Sequence, residues 1–327
     1  MNRHILIDNA TASVAALISG KRTFFARSLE SRPFRELTGQ MEVSLPDFGP
    51  PFATGTYPVE AHLPQSNLVM DPAFRIEKWI GADHPTILFH HGSNERPFDY
   101  RNKAKNSFCN IFVTKRDAFP ANLVAVRAPF HNGPLREYQE NMTHLSRFMA
   151  MIAVSVKLNE TLVSILKKHG NAPVITCGIS LGGWVANLHR ALHNTADNYI
   201  PLMAGAFLGE VFLQSSYRKL AGQRALAQPE TLRELLNFNR DFDQITTANV
   251  HPLLARHDRF IEYEVQAKSY GNHPIRTIDF GHVTGALQAK VIRDHIMDVL
   301  KTCAITPHAI EQKKGESLNS AESLPCL

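Results

Sequence analysis

Cysteine is scarce in this sequence: four in 327 residues, Cys109, Cys177, Cys303 and Cys326, with no C-x-x-C pair and no His/Cys ligand spacing. That scatter argues against both a zinc site and a disulfide framework, and reduced thiols fit a cytoplasmic protein. A dominant charge is missing as well. The 35 basic and 30 acidic residues are interspersed, for a formal charge of +5 and a pI near 9.0. Without a basic patch interleaved with aromatics, nucleic acid is not an expected partner. No run reads as an integral membrane segment. The N-terminal stretch lacks the marks of a signal peptide, since Asp8 and Asn9 interrupt its apolar region and no small-x-small site closes it. Solenoid and propeller repeats are absent too. What remains is a chain with 44% hydrophobic residues, enough to bury one large core, or a core plus a smaller lid.

One stretch organises the rest. Val174 to Cys177 is a short apolar run after Pro173; Gly178-Ile179-Ser180-Leu181-Gly182-Gly183 follows, and then Leu181, Trp184, Val185, Leu188 and Leu192 recur at helical spacing. Strand, serine-bearing turn and helix therefore stand in the order of a nucleophile elbow, whose neighbouring positions must be nearly free of side chain. Ser180 is the candidate nucleophile. G-x-S-x-G alone is common by chance, and a Gly-Gly pair can be a plain tight turn; the flanking pattern is what raises its standing.

Along the chain, residues from about 5 to 40 read as an amphipathic helical arm that packs across the core or lid. A basic amphipathic arm can lie on a membrane surface, but Asp8, Glu30 and Glu36 dilute its charge. Ser44 to Pro72 is rich in Pro, Gly and Thr and reads as loops with short edge strands. Phe74 to Ile80 is an expected antiparallel strand. Thr86 to Phe89 is an apolar strand that ends in His90-His91-Gly92-Ser93, and Asn122 to Pro129 is another buried strand. A long helix is expected from about 137 to 169, stopped by Gly170. Ile200 to Phe212 reads as a strand with Glu210 near its end, and the helical segment of about 214–248 as a lid. His251 to Asp258 and Ile275 to Phe280 are the last strands, before Gly281-His282 and a closing helix whose apolar face, including Ala286 and Leu287, meets the sheet. The polar tail, 306–327, has a disordered composition. The expected organisation is thus an N-terminal region, 1–73, a core of 74–305 carrying the lid, and the tail.

Strands alternating with helices predict an α/β fold, a mostly parallel central sheet with helices on both faces, and such sheets bind ligands at the C-terminal strand ends. Ser180, Asp258 and His282 each follow a predicted strand there. A serine needs a base to take its proton, and the base needs an acid to fix its tautomer. Glu210 is the alternative acid. The oxyanion of a tetrahedral intermediate needs two N–H donors, one from the residue after the nucleophile, Leu181, and one from the loop at Gly92 or Ser93. His91-Gly92 is otherwise an ordinary strand-ending turn. His251, His257 and His273 are read as turn or solvent-facing histidines, Asp279 as a strand-end ion pair, and Trp184 as helix packing.

From roughly Phe74 to Thr302 the chain resembles the α/β-hydrolase superfamily. The resemblance rests on His91-Gly92, Gly178-Ile179-Ser180-Leu181-Gly182-Gly183, His257-Asp258-Arg259-Phe260-Ile261 and Gly281-His282, in the family's order of serine, acid and histidine. It implies a cofactor-free serine hydrolase acting on a small-molecule acyl substrate, with Ser180 as nucleophile, His282 as general base and acid, and Asp258 as orienting acid. The second glycine after the serine resembles many esterases and the hydrolase domains of acyl-peptide-cleaving enzymes. His-His-Gly-Ser departs from the His-Gly-Gly-Gly of some lipases. Carboxylic ester cleavage is the leading expectation. Amide cleavage or acyl transfer on the same triad, and a hydrolase-like binding protein without turnover, are the alternatives.

Overall fold

The computed structural model describes residues 2–303 apart from 47, 48, 51, 65, 102 and 103; the tail of 306–327 and Cys326 lie outside the described residues. The strands are β1 (Glu42–Ser44), β2 (Gly55–Pro58), β3 (Glu60–His62), β4 (Ala73–Lys78), β5 (Thr86–His90), β6 (Asn122–Arg127), β7 (Val174–Ile179), β8 (Asn198–Leu202), β9 (Leu253–Ala255) and β10 (Arg276–Ile278). Eight of them form one sheet in the order β10-β9-β8-β7-β5-β6-β4-β2. From β6 to β10 the strands run parallel, and β4 and β2 close one edge antiparallel. β1 and β3 pair separately.

The parallel strands are apolar on both faces because helices cover both. In β5, Leu88 enters one hydrophobic core while Ile87 and Phe89 enter the other. The helices are α1 (Arg3–Ser19), α2 (Phe34–Gln40), α3 (Ser107–Ile111), α4 (Leu135–Met142), α5 (Leu145–His169), α6 (Leu181–Leu192), α7 (Leu208–Leu213), α8 (Gln223–Leu226), α9 (Pro229–Leu236), α10 (Asn239–Asp243), α11 (Tyr263–Gln266), α12 (His282–Ala286) and α13 (289–303). α5 is long and apolar enough to cross a membrane by length and composition, which corrects the expectation that no run has that character; 72% of its apolar window is buried inside the protein.

Four further expectations on the elements change. The N-terminal arm is not one helix, because an extended segment separates α1 from α2. That segment also breaks the expected helix of 137–169 into α4 and α5. Phe25 N–H donates to Met142 O, Arg27 N–H to Thr143 O, and Leu145 N–H to Ser28 O, so backbone from the arm takes the place of a continuous helix. β8 stops at Leu202, and Glu210 lies in the first turn of α7 rather than at a strand end. The closing helix is likewise two, α12 and α13, and Leu287 between them is 70% exposed instead of facing the sheet.

Candidate active site

Ser180 sits at the junction of β7 and α6 with φ 53° and ψ −109°, a left-handed backbone conformation that a side chain rarely adopts. Its own N–H is tied to Leu202 O at 2.8 Å, which fixes the turn against β8. The strained turn requires strand and helix to approach closely. A Cβ on Gly178 would run into the carbonyl of Gly182, so the first glycine of the motif has a steric cause. Leu181 is the first residue of α6, and its N–H has no acceptor within the helix.

His282 opens α12 just past β10, and Asp258 lies just past β9. Ser180 Oγ–H donates to His282 Nε2 at 3.1 Å, and His282 Nδ1–H donates to Asp258 Oδ2 at 2.7 Å. The second oxygen of Asp258 accepts Phe260 N–H at 2.8 Å and Ile261 N–H at 2.7 Å. Those bonds hold the carboxylate while it fixes the imidazole with its proton on Nδ1, leaving Nε2 free to accept from the serine. Burial lifts the Asp258 carboxyl above its ordinary value, against the pull of His282. Burial also opposes charge on His282, but the carboxylates of Asp258 and Asp8 outweigh it and hold the imidazole above its usual pKa.

Gly92 and Ser93 line the same cavity as Ser180. The loop they form is held from behind by histidines. His91 Nδ1–H donates to Gly92 O at 2.6 Å while its Nε2 accepts Ala128 N–H at 3.0 Å. His131 donates through Nδ1 to Pro129 O and accepts Asn94 N–H at Nε2. Both rings keep one proton because burial drives their pKa down, that of His131 to about 4. His91 is therefore a satisfied core histidine, and its satisfaction is what shapes the Gly92 loop. Ser93 Oγ bonds the hydroxyl of Tyr138 at 2.6 Å.

Glu210 does not join the cluster. It pairs with Arg233 of α9 at 2.7 Å, inside the helical segment, because the chain turns into α7 before reaching it. Asp279 is exposed and pairs with His257 at 2.6 Å, as its position after a strand suggests. Two buried groups carried no signal in the sequence. Arg190 of α6 is fully buried, donates to the carbonyls of Ile245 and Thr247, and lies 4.6 Å over the Phe242 ring, anchoring the end of the helical segment. Asp8, from α1, reaches the start of α12.

The cavity beside Ser180 measures about 890 Å³ and runs between α1 and the core, with Val14, Ile18, Phe24, Met142, Leu220 and Val283 in its wall. Deeper in, Phe148, Trp184, Val211 and Phe212 close a tight apolar recess against the serine.

A mostly parallel sheet with a serine elbow at the end of a central strand is the α/β-hydrolase fold. A family model described as alpha/beta hydrolase domain containing 18 matches residues 124–249, which include Ser180 but stop short of Asp258 and His282. No curated protein matches in sequence. Among solved structures, the acylaminoacyl peptidase of Pyrococcus horikoshii superposes with a TM-score of 0.50 at 14% identity, over 80% of this chain and 48% of that one. Acetyl xylan esterase 1 from Thermoanaerobacterium sp. JW/SL YS485 gives 0.49 at 15% identity over 84% and 97% of the two chains. The acetyl xylan esterase from Paenibacillus sp. R4 gives 0.47 at 13% identity over 80% and 92%.

Proposed function

We propose that this chain is a serine hydrolase that cleaves a carboxylic ester through an acyl-enzyme on Ser180. The observation that carries the reading is the continuous hydrogen-bonded line from Ser180 Oγ through His282 to Asp258, with Ser180 in its strained turn. His282 Nε2 takes the serine proton as Oγ attacks the ester carbonyl. The resulting oxyanion accepts from Leu181 N–H and from an N–H of the loop at Gly92 and Ser93. Collapse expels the alkoxide, which leaves as an alcohol with the proton from His282, and water repeats the sequence to release the acid. Asp258 stays ionised throughout and stabilises the imidazolium.

The wall of Val14, Ile18, Phe24, Met142 and Leu220 suits the hydrocarbon part of an acyl group, because burying it there removes apolar surface from water. The segment from α7 to α10 acts as the cover of the site, with Val211 and Phe212 of α7 pressing on the recess. Amide cleavage would run through the same acyl-enzyme, so a panel separates the two. Aryl esters of graded acyl length should be hydrolysed by the wild type and not by Ser180→Ala. Matched anilides should be poorer substrates. Equal ester turnover by wild type and Ser180→Ala would end this reading.

A further inference from the structure

We propose that Asp8 of the N-terminal helix is a positioning residue for the histidine of the triad, so that α1 is part of the catalytic apparatus rather than an appended arm. Asp8 is fully buried, although it comes from a segment more than two hundred residues away in sequence from its partners. Its Oδ2 accepts His282 N–H at 2.7 Å and Arg259 N–H at 3.0 Å, and its Oδ1 accepts Val283 N–H at 3.0 Å. One carboxylate thus ties together the backbone of the histidine and the residue next to Asp258. The carboxylate thereby accepts N–H groups of the first turn of α12 that have no acceptor within the helix.

The fit is close enough to constrain neighbours. A Cβ on Gly281 would meet Asp8 Oδ2 at 2.8 Å, so the glycine before His282 makes room for this carboxylate. A second bond runs parallel to it: His4 Nδ1 pairs with Thr284 Oγ1 at 2.8 Å, and that same hydroxyl oxygen accepts Gly281 N–H. The His4 ring stands edge-on to Phe280, 5.2 Å between centroids, and stacks with His257. The charged and titratable groups around His282 are therefore Asp258 and Arg259 after β9, Asp8 and His4 from α1, and His257. The Phe260 ring packs at 5.2 Å. Nothing in this geometry gives Asp8 contact with the reacting atoms; it acts through the placement and charge environment of His282.

The inference rests on His282 being the base for Ser180, and the experiment separates the two claims. Asp8→Asn keeps the shape but turns an amide toward N–H donors on one side and removes the charge. Its kcat on an aryl ester should fall on the order of 10- to 100-fold with KM little changed, the size expected for a misplaced catalytic group. The acid limb of its kcat/KM profile should move to lower pH, because an imidazolium that has lost a nearby carboxylate gives up its proton more readily. A loss of stability alone would leave that limb in place. Asn9→Ala, on the same helix but bonded to Ser216, serves as the control and should move neither quantity. Asp8→Asn that folds with kcat within about twofold of wild type and an unmoved limb overturns the inference. Should Asp8→Asn not fold, His4→Phe decides: it keeps the ring against Phe280 and breaks only the bond to Thr284. A several-fold lower kcat in that variant supports the inference, and an unchanged kcat overturns it. A wild type that takes no fluorophosphonate label would instead sink the hydrolase reading itself.

Discussion

At the scale of single residues, the proposed chemistry depends on one imidazole held in one tautomer. Asp258 accepts from Nδ1 and uses its other oxygen on two backbone N–H groups, so neither oxygen is idle. Asp258→Asn would keep the volume but present the wrong hydrogen-bonding face, and kcat should drop by roughly 10⁴ with the protein still folded. Circular dichroism alongside steady-state kinetics checks both halves of that statement. The pH dependence follows from His282. Its carboxylate neighbours hold its pKa above the ordinary value, and it must be neutral to accept the serine proton. Activity should therefore fall with decreasing pH through a midpoint above about 6.5, the value of a free imidazole. A kcat/KM profile flat down to pH 6 would contradict that assignment.

At the scale of elements, the β7–α6 junction is where sequence and fold agree most closely, because the constraint there is steric and local. Gly178→Ala forces a Cβ into the Gly182 carbonyl and should destabilise the protein by about 1–3 kcal/mol or more. Gly39→Ala, at an exposed position of α2 with no atom near the new methyl, should instead stabilise by about 0.5–1 kcal/mol. Paired melting curves check the opposite signs. Local pattern also found β4 through β7 and the ends of β9 and β10, since apolar runs bounded by Pro and Gly are set by near neighbours. It failed where a distant segment decides. The break between α4 and α5 depends on backbone donated by residues 25–28, and nothing within 137–169 announces it. The end of β8 was equally hidden, because IPLMAGAFLGEVF is apolar whether extended or helical, and Glu210 was misplaced with it.

At the scale of the whole molecule, the N-terminal helix and the ends of the sheet strands line one cavity at Ser180. Periodicity in α1 could announce a packed face, but not that Asp8 would meet His282, because that contact joins positions remote in the chain. The buried Arg190 was invisible for the same reason: its hydrogen-bond partners, the carbonyls of Ile245 and Thr247 and the side chain of Asn249, lie 55 to 59 positions further along the chain. The cavity between α1 and the core gives a prediction on this scale. Val14→Trp fills its wall and should reduce turnover of long acyl esters at least tenfold while sparing acetyl esters, measured as the ratio of kcat/KM across the panel. A uniform loss at every chain length would mean that the cavity does not hold the acyl group. The most direct test of the account is peptide mapping by mass spectrometry after reaction with diethyl p-nitrophenyl phosphate. The account predicts close to one equivalent of p-nitrophenol released per chain and a single diethylphosphoryl group on the peptide containing Ser180, with neither seen in Ser180→Ala. Stoichiometric modification at another residue, or ester turnover with Ser180 unmodified and replaceable, would contradict it.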